Sequence, residues 1–149
     1  MTILKFLLLA TLLMFSLNLK AEQLEMIVYR SPACGCCGNW VAYMQQNNFN
    51  VKSVMTDDMQ SIKQKYGIPE KLVSCHTAIV NGYVIEGHVP AEDIINLLQK
   101  KPEITGIAAP GMPLGSPGME MGGKKQAYRV LSFDKSGKVE IFAEHTDNQ

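Results

Sequence analysis

Short apolar runs at two different periods organise this chain. Glu25 to Arg30, EMIVYR, is rich in strand formers and predicts a first strand, which Ser31-Pro32 breaks. Past a cluster of cysteines the period lengthens. Trp40, Val41 and Met44 share one face of a helix that runs to about Asn48. Phe49 to Met55 predicts a second strand. Asp57-Asp58 then supply an N-cap and an acidic first turn to a helix containing Ile62 and Tyr66, which Gly67 ends and Pro69 keeps from resuming. Thr77 to Val80 and Tyr83 to Glu86 flank Asn81-Gly82, a dipeptide that favours a tight hairpin turn. Pro90 opens a third helix, with Glu92 and Asp93 near its positive end and Lys100 and Lys101 near its negative end. Ile94, Ile95, Leu97 and Leu98 are its expected core face.

Regularity then lapses. Pro102 to Lys125 reads PEITGIAAPGMPLGSPGMEMGGKK, and a structureless stretch of this length is usually functional or disordered. Tyr128 to Phe133 and Lys138 to Phe142 alternate as a hairpin about Asp134-Lys135-Ser136-Gly137. No internal repeat is present. The pattern predicts an α/β fold with a central mixed sheet and flanking helices over about residues 25–101. A Met/Gly/Pro-rich loop over 102–125 and a C-terminal β-hairpin within 126–144 complete a single domain.

The N-terminus sets the expected compartment. Lys5 precedes an apolar run from Phe6 to Leu17, and a small residue, Ala21, stands at a suitable cut. This is the grammar of a secretory signal peptide over residues 1–21, and the run is short for a membrane span. The remaining chain, 22–149, is one domain by size. Charge is balanced, with 14 basic and 14 acidic residues, and the leader removes only Lys5 and Lys20. Nothing basic enough for nucleic acid and no second apolar run for a membrane is left. Export permits disulfides.

All four cysteines lie in two short segments, Cys34-Gly35-Cys36-Cys37 and Cys75-His76. Scaffold cysteines are usually spread out to close loops, so this clustering points to sulfur or metal chemistry. The element order β-α-β-α-β-β-α, with cysteines at the first strand-to-helix junction, resembles the thioredoxin fold over roughly Glu25 to Lys101. In that resemblance Ser74-Cys75-His76-Thr77 corresponds to the loop opposite the cysteines, and His76 stands where thioredoxins carry a cis-proline. A general disulfide-exchange role is weakened by that replacement, which also brings Cys75 and His76 toward the first cluster.

Four chemistries compete for the cluster. A helix N-terminus favours thiolate, so Cys34 could attack and Cys37 resolve in dithiol redox, with Cys36 as an unexplained third thiol. A structural zinc site could use Cys34, Cys37, Cys75 and His76, but adjacent helical side chains diverge by about 100°, which is awkward for one tetrahedral ion. Cu(I) suits soft thiolates, imidazole and thioether, and divergent thiolates can each serve more than one ion. Two inert disulfides are the remaining possibility. Met112, Met119 and Met121 lie in the Gly/Pro segment, where core packing does not explain them and where a thioether is a soft ligand immune to disulfide formation. His76 adjoins Cys75, and His88 lies at the far end of the hairpin in EGHVP, as ligand or as partner of a backbone group. His145 lies in a polar tail and reads as solvated. Trp40, Tyr29 and Tyr83 read as core and site wall.

Three long motifs in order, YRSPACGCCGNW, GIPEKLVSCHTAIVNGYVIEGHVP and GMPLGSPGMEMG, resemble the exported copper-resistance family called CopG, distinct from the plasmid repressor of that name. The resemblance covers nearly all of residues 22–149. It implies a thioredoxin-like domain in the periplasm of a Gram-negative bacterium. It also implies polynuclear copper bound through Cys34, Cys36 and Cys37, and interconversion of Cu(I) and Cu(II). The family's remaining motif positions fall on Cys75, His76, His88, Met112 and Met119. The partners implied are copper ions and other periplasmic copper-handling proteins. A thiol-disulfide oxidoreductase using Cys34 and Cys37, or a non-catalytic copper buffer or chaperone, are the alternatives.

Overall fold

The structure, a computed structural model, describes residues 23–146; the expected signal peptide over residues 1–21 lies outside them. The elements run β1 (Leu24–Arg30), α1 (Gly35–Gln46), β2 (Phe49–Met55), α2 (Met59–Lys65), a 3-10 turn (Glu70–Leu72), β3 (Thr77–Val80), β4 (Tyr83–Gly87), α3 (Ala91–Lys100), β5 (Gly106–Ala109), β6 (Tyr128–Phe133) and β7 (Val139–His145). All strands join one mixed sheet in the order β2-β1-β3-β4-β5-β6-β7.

β1 and β2 are parallel, linked by the α1 crossover, as are β4 and β5, linked through α3. The other neighbours are antiparallel. Asn81 and Gly82 both take positive φ, 45° and 83°, as the two-residue turn between β3 and β4 requires. In β1 the alternation places Met26 and Val28 inward. Along α1 the buried positions are Cys37, Trp40, Val41 and Met44, a single apolar stripe. The α2 N-cap is Asp58, whose carboxylate accepts the Ser61 N–H at 3.1 Å. In α3, Ile94 and Leu97 are buried but Ile95 is 37% exposed. One residue on from Ile94 is about 100° around the helix, which carries Ile95 off the core face.

The sheet separates two apolar layers. Met26, Val28, Trp40, Met44, Ile85, Ile94 and Ile107 form the larger one with α1 and α3, and Ile68, Leu72, Val84, Ala108 and Phe133 form the smaller one near the 3-10 turn. Successive residues of β4 and β5 alternate between the layers, as a pleated strand demands.

Two features depart from the sequence reading. The stretch 102–125 was expected to be loop throughout, yet Gly106–Ala109 forms β5, buried on both faces. Its four-residue run is too short to announce itself amid Gly, Pro and Met. Through it the C-terminal hairpin becomes part of the main sheet. The second departure is His145, which is not solvated. It closes β7, stacks on Tyr128 with ring centroids 4.8 Å apart, and lies 2.7 Å from the Asp93 carboxylate at the start of α3. Among the described residues, no helix is long and apolar enough to cross a membrane.

Candidate metal centre

Both cysteine segments sit at ends of strands on the same side of the sheet centre, because β1 and β3 are neighbours. Leaving β1, the chain turns through Ser31-Pro32 and enters α1 at Cys34, which is its N-cap: the Cys34 Sγ accepts the Cys37 N–H at 3.3 Å. Cys34 and Cys37 are joined as a disulfide, and Cys36 and Cys75 are free. The Cys36 sulfur lies 3.5 Å from that of Cys34. Cys75 and His76 approach from the loop that precedes β3, and His88 follows β4.

These residues form two donor groups. The sulfurs of Cys34, Cys36, Cys37 and Cys75 lie within 4.8 Å of one another, and so do ligand atoms of Cys75, His76 and His88. Cys75 belongs to both. Its sulfur is 3.1 Å from His88 Nε2 and 3.4 Å from His76 Nδ1. Burial and the neighbouring Cys36 sulfur push its thiol up to about 11.

The histidine tautomers follow from their partners. His88 Nδ1 lies 2.8 Å from the Pro117 carbonyl oxygen. A carbonyl only accepts, so Nδ1 carries the proton and Nε2 presents a lone pair toward Cys75. His76 is fully buried beneath Trp40, ring centroids 4.4 Å apart, with His88 edge-on at 5.0 Å. Its Nε2 is a buried polar atom with no hydrogen-bond partner among the described residues, an arrangement that needs an explanation. Trp40 is itself fixed by its indole N–H donating to Val89 O at 2.9 Å.

The Gly/Pro/Met segment closes over this cluster. Gly118, at φ +84°, comes so close that a Cβ there would sit 2.8 Å from Trp40 N and 3.0 Å from Cys36 O. Met119, next to it, is 8% exposed, whereas Met112 and Met121 are 54% and 63% exposed. The structure thus brings together Cys34, Cys36, Cys37, Cys75, His76 and His88. It buries Met119 in the covering segment and leaves Met112 at the surface. Sequence reasoning passed over two contributors. The Pro117 carbonyl orients His88, and no residue-type signal marks a backbone oxygen. Glu86, fully buried at the end of β4, binds Lys63, Ser74 and Thr77, and in sequence it reads as an ordinary polar strand end.

Burial pushes both histidines below their usual range, His76 by much the more, with the mutual repulsion of the two rings adding at His76. Their neutral forms are therefore favoured in the fold, while the unfolded chain takes up protons below about pH 6.5. The sign is one of acid destabilisation: stability of the metal-free protein is present above pH 6.5 and falls as the pH drops. The steepest slope is about 1.4 kcal/mol per pH unit for each histidine. Thermal unfolding of the metal-free protein is expected to move to lower temperature between pH 8 and pH 5.5, and a midpoint that holds or rises on acidification contradicts this burial.

Two solved structures are similar to the chain. One, "Copper resistance protein copG- Form 2", is 41% identical, with a TM-score of 0.80 over 84% of this chain and 100% of that one. The other, "Copper resistance protein copG- Form 1", is 42% identical, with a TM-score of 0.79 over 83% of this chain and 98% of that one. A family profile described as "Protein of unknown function, DUF411" matches residues 72–119. That span contains Cys75, His76, His88, Met112 and Met119 and omits the Cys34–Cys37 segment. No curated protein matches the chain.

Proposed function

This chain belongs to the CopG family of copper-resistance proteins, and on that premise we propose that it holds copper as a polynuclear Cu(I) thiolate site in copper tolerance. The observation that carries the reading is Cys75, one sulfur common to two donor groups. Together the groups offer four sulfurs and two imidazoles. Six donors exceed what one four-coordinate zinc ion takes, and soft sulfur with imidazole suits Cu(I). Of these donors, His76 Nε2 has no hydrogen-bond partner among the described residues, and the His88 Nε2 lone pair faces the Cys75 thiol, a proton that a metal would replace. The His88 Nδ1–H bond to Pro117 O is the kind of outer contact that orients a ligating imidazole.

In this reading Cys34, Cys36, Cys37, Cys75, His76 and His88 hold copper, and Met119 and Met112 complete or cover the site from the Gly/Pro segment. Thiolate and thioether favour Cu(I) while imidazole accommodates both states, so this donor set would support one-electron exchange between Cu(I) and Cu(II) with an external redox partner. The reading takes the frame as thioredoxin-like, with the Cys34–Cys37 segment at the β1-to-α1 junction and Cys75 just before the β3-β4 hairpin. The reading includes export to the periplasm through the expected signal peptide over residues 1–21, with copper ions and other exported copper-handling proteins as partners.

X-ray absorption of the copper-loaded, reduced protein tests this. The expected spectrum has mainly sulfur neighbours and a copper–copper scattering path. A spectrum with nitrogen and oxygen neighbours alone, or with no metal–metal path at full loading, contradicts it.

One observation favours a second reading. The Cys34–Cys37 disulfide at the N-terminus of α1 has the spacing of a dithiol oxidoreductase. That activity predicts catalysed exchange of a model disulfide that requires Cys34 and Cys37 and is indifferent to Cys36→Ser. A copper buffer, in contrast, binds the ion and shows no turnover with oxygen or a reductant.

A further inference from the structure

We propose that the buried Lys63–Glu86 ion pair is the positioning device of this site: it holds the loop over residues 73–76 where the Cys75 sulfur meets both donor groups. The consequence for copper rests on the reading above, and the geometry does not.

Cys75 and His76 lie on a loop between the 3-10 turn and β3, which the Gly87 N–H ties to the sheet at the His76 carbonyl, 2.9 Å, but which has no backbone ladder at Ser74 or Cys75. A loop whose two side chains must reach both the cysteine segment and His88 needs external anchors. Glu86 supplies them from β4. Its Oε1 accepts from Lys63 Nζ at 2.5 Å and from the Ser74 N–H at 2.7 Å, and its Oε2 accepts from the Thr77 hydroxyl at 2.6 Å. One carboxylate thereby grips the residue before Cys75 and the residue after His76. Lys63 Nζ also reaches Thr77 Oγ1 at 3.2 Å. Beyond the clamp, the Ser74 hydroxyl donates to the Gly111 carbonyl, which ties the loop to the covering segment.

Stability alone is a poor account of this pair. Glu86 is fully buried and the Lys63 side chain nearly so. Taking both charges out of water is costly, and well-packed apolar replacements are often as stable or more so. What an apolar pair cannot do is accept the Ser74 N–H and the Thr77 O–H. The hydrogen bonds that the pair makes to the loop are therefore its distinctive contribution.

The test uses the mature chain, reduced and copper-free, carrying K63M/E86L, which removes both charges and leaves no buried ion unpaired. Iodoacetamide modification resolved by site is expected to speed up at Cys75 by about tenfold or more, while Cys36 stays within about twofold. General destabilisation would instead raise buried Cys37 in parallel. Cu(I) affinity for the ion that depends on Cys75 is expected to fall by about tenfold or more. If the alkylation pattern changes as stated and no copper binds to either protein, the metal reading fails and the clamp stands. Wild-type alkylation at Cys75 in the folded double variant overturns the clamp. Should the variant not fold, hydrogen exchange of the wild-type Ser74 amide decides: exchange as slow as in β3 and β4 is expected, and exchange at open-loop rates overturns the proposal.

Discussion

Replacing Cys75 by serine is expected to cost the protein at least one bound Cu(I) and to weaken what remains by about 100-fold or more. Loss of an outer-shell partner alone typically costs about 10–100-fold in metal affinity, and Cys75 is a donor itself. It is also the only residue common to the four-sulfur group and the Cys75-His76-His88 group. A hydroxyl keeps the shape and the hydrogen bond to His88 but is a hard, weakly acidic donor with little affinity for Cu(I). The change is small in volume at a half-buried position, so folding survives it. Metal analysis of the anaerobically loaded and desalted variant reads the count, and competition with a chromophoric chelator reads the affinity. A variant holding the wild-type number of ions at wild-type affinity would show that the two groups do not share a sulfur in binding.

Oxidation has the second large effect. With Cys34 and Cys37 joined, two of four sulfurs are no longer thiolates, and the thiolate is the metal ligand. The disulfide form is expected to bind at most about one Cu(I), through Cys75, His76 and His88, while the reduced form binds more. Reopening the bond takes two electrons and two protons to give two thiols, so loading of the full site is coupled to a reductant. Parallel titrations of the disulfide form and of protein reduced with a phosphine and desalted without oxygen measure the difference. Equal stoichiometry and affinity in the two forms would remove Cys34 and Cys37 from the copper site.

Much of this arrangement is legible in the sequence because it rests on local patterns. Asn81-Gly82, the stripe Trp40-Val41-Met44 and Asp58 as a cap each act within a few residues, and each is where the pattern places it. The approach of Cys75 to the first cysteine segment was legible only by way of the fold resemblance, since it depends on β1 pairing with β3. What stayed hidden is long-range or carried by backbone. β5 exists because its four residues fit between β4 and β6, a matter of tertiary pairing rather than propensity. His145 looks like tail until Asp93 and Tyr128 arrive from elsewhere in the chain. Glu86 and Lys63 look like two solvated charges, and only their burial together makes them a clamp. The Met-bearing segment was singled out for its composition. It meets the site through its backbone, Gly118 lying against Trp40 and Cys36 and the Pro117 carbonyl binding His88.

Whether a multinuclear copper site uses every cysteine is decided by anaerobic Cu(I) titration of reduced protein comprising residues 22–149, with the bound metal counted by mass spectrometry. Two or more ions per chain, with the count lowered by Cys36→Ser, is the predicted result. Saturation at one ion or fewer, unchanged by Cys36→Ser, would contradict it.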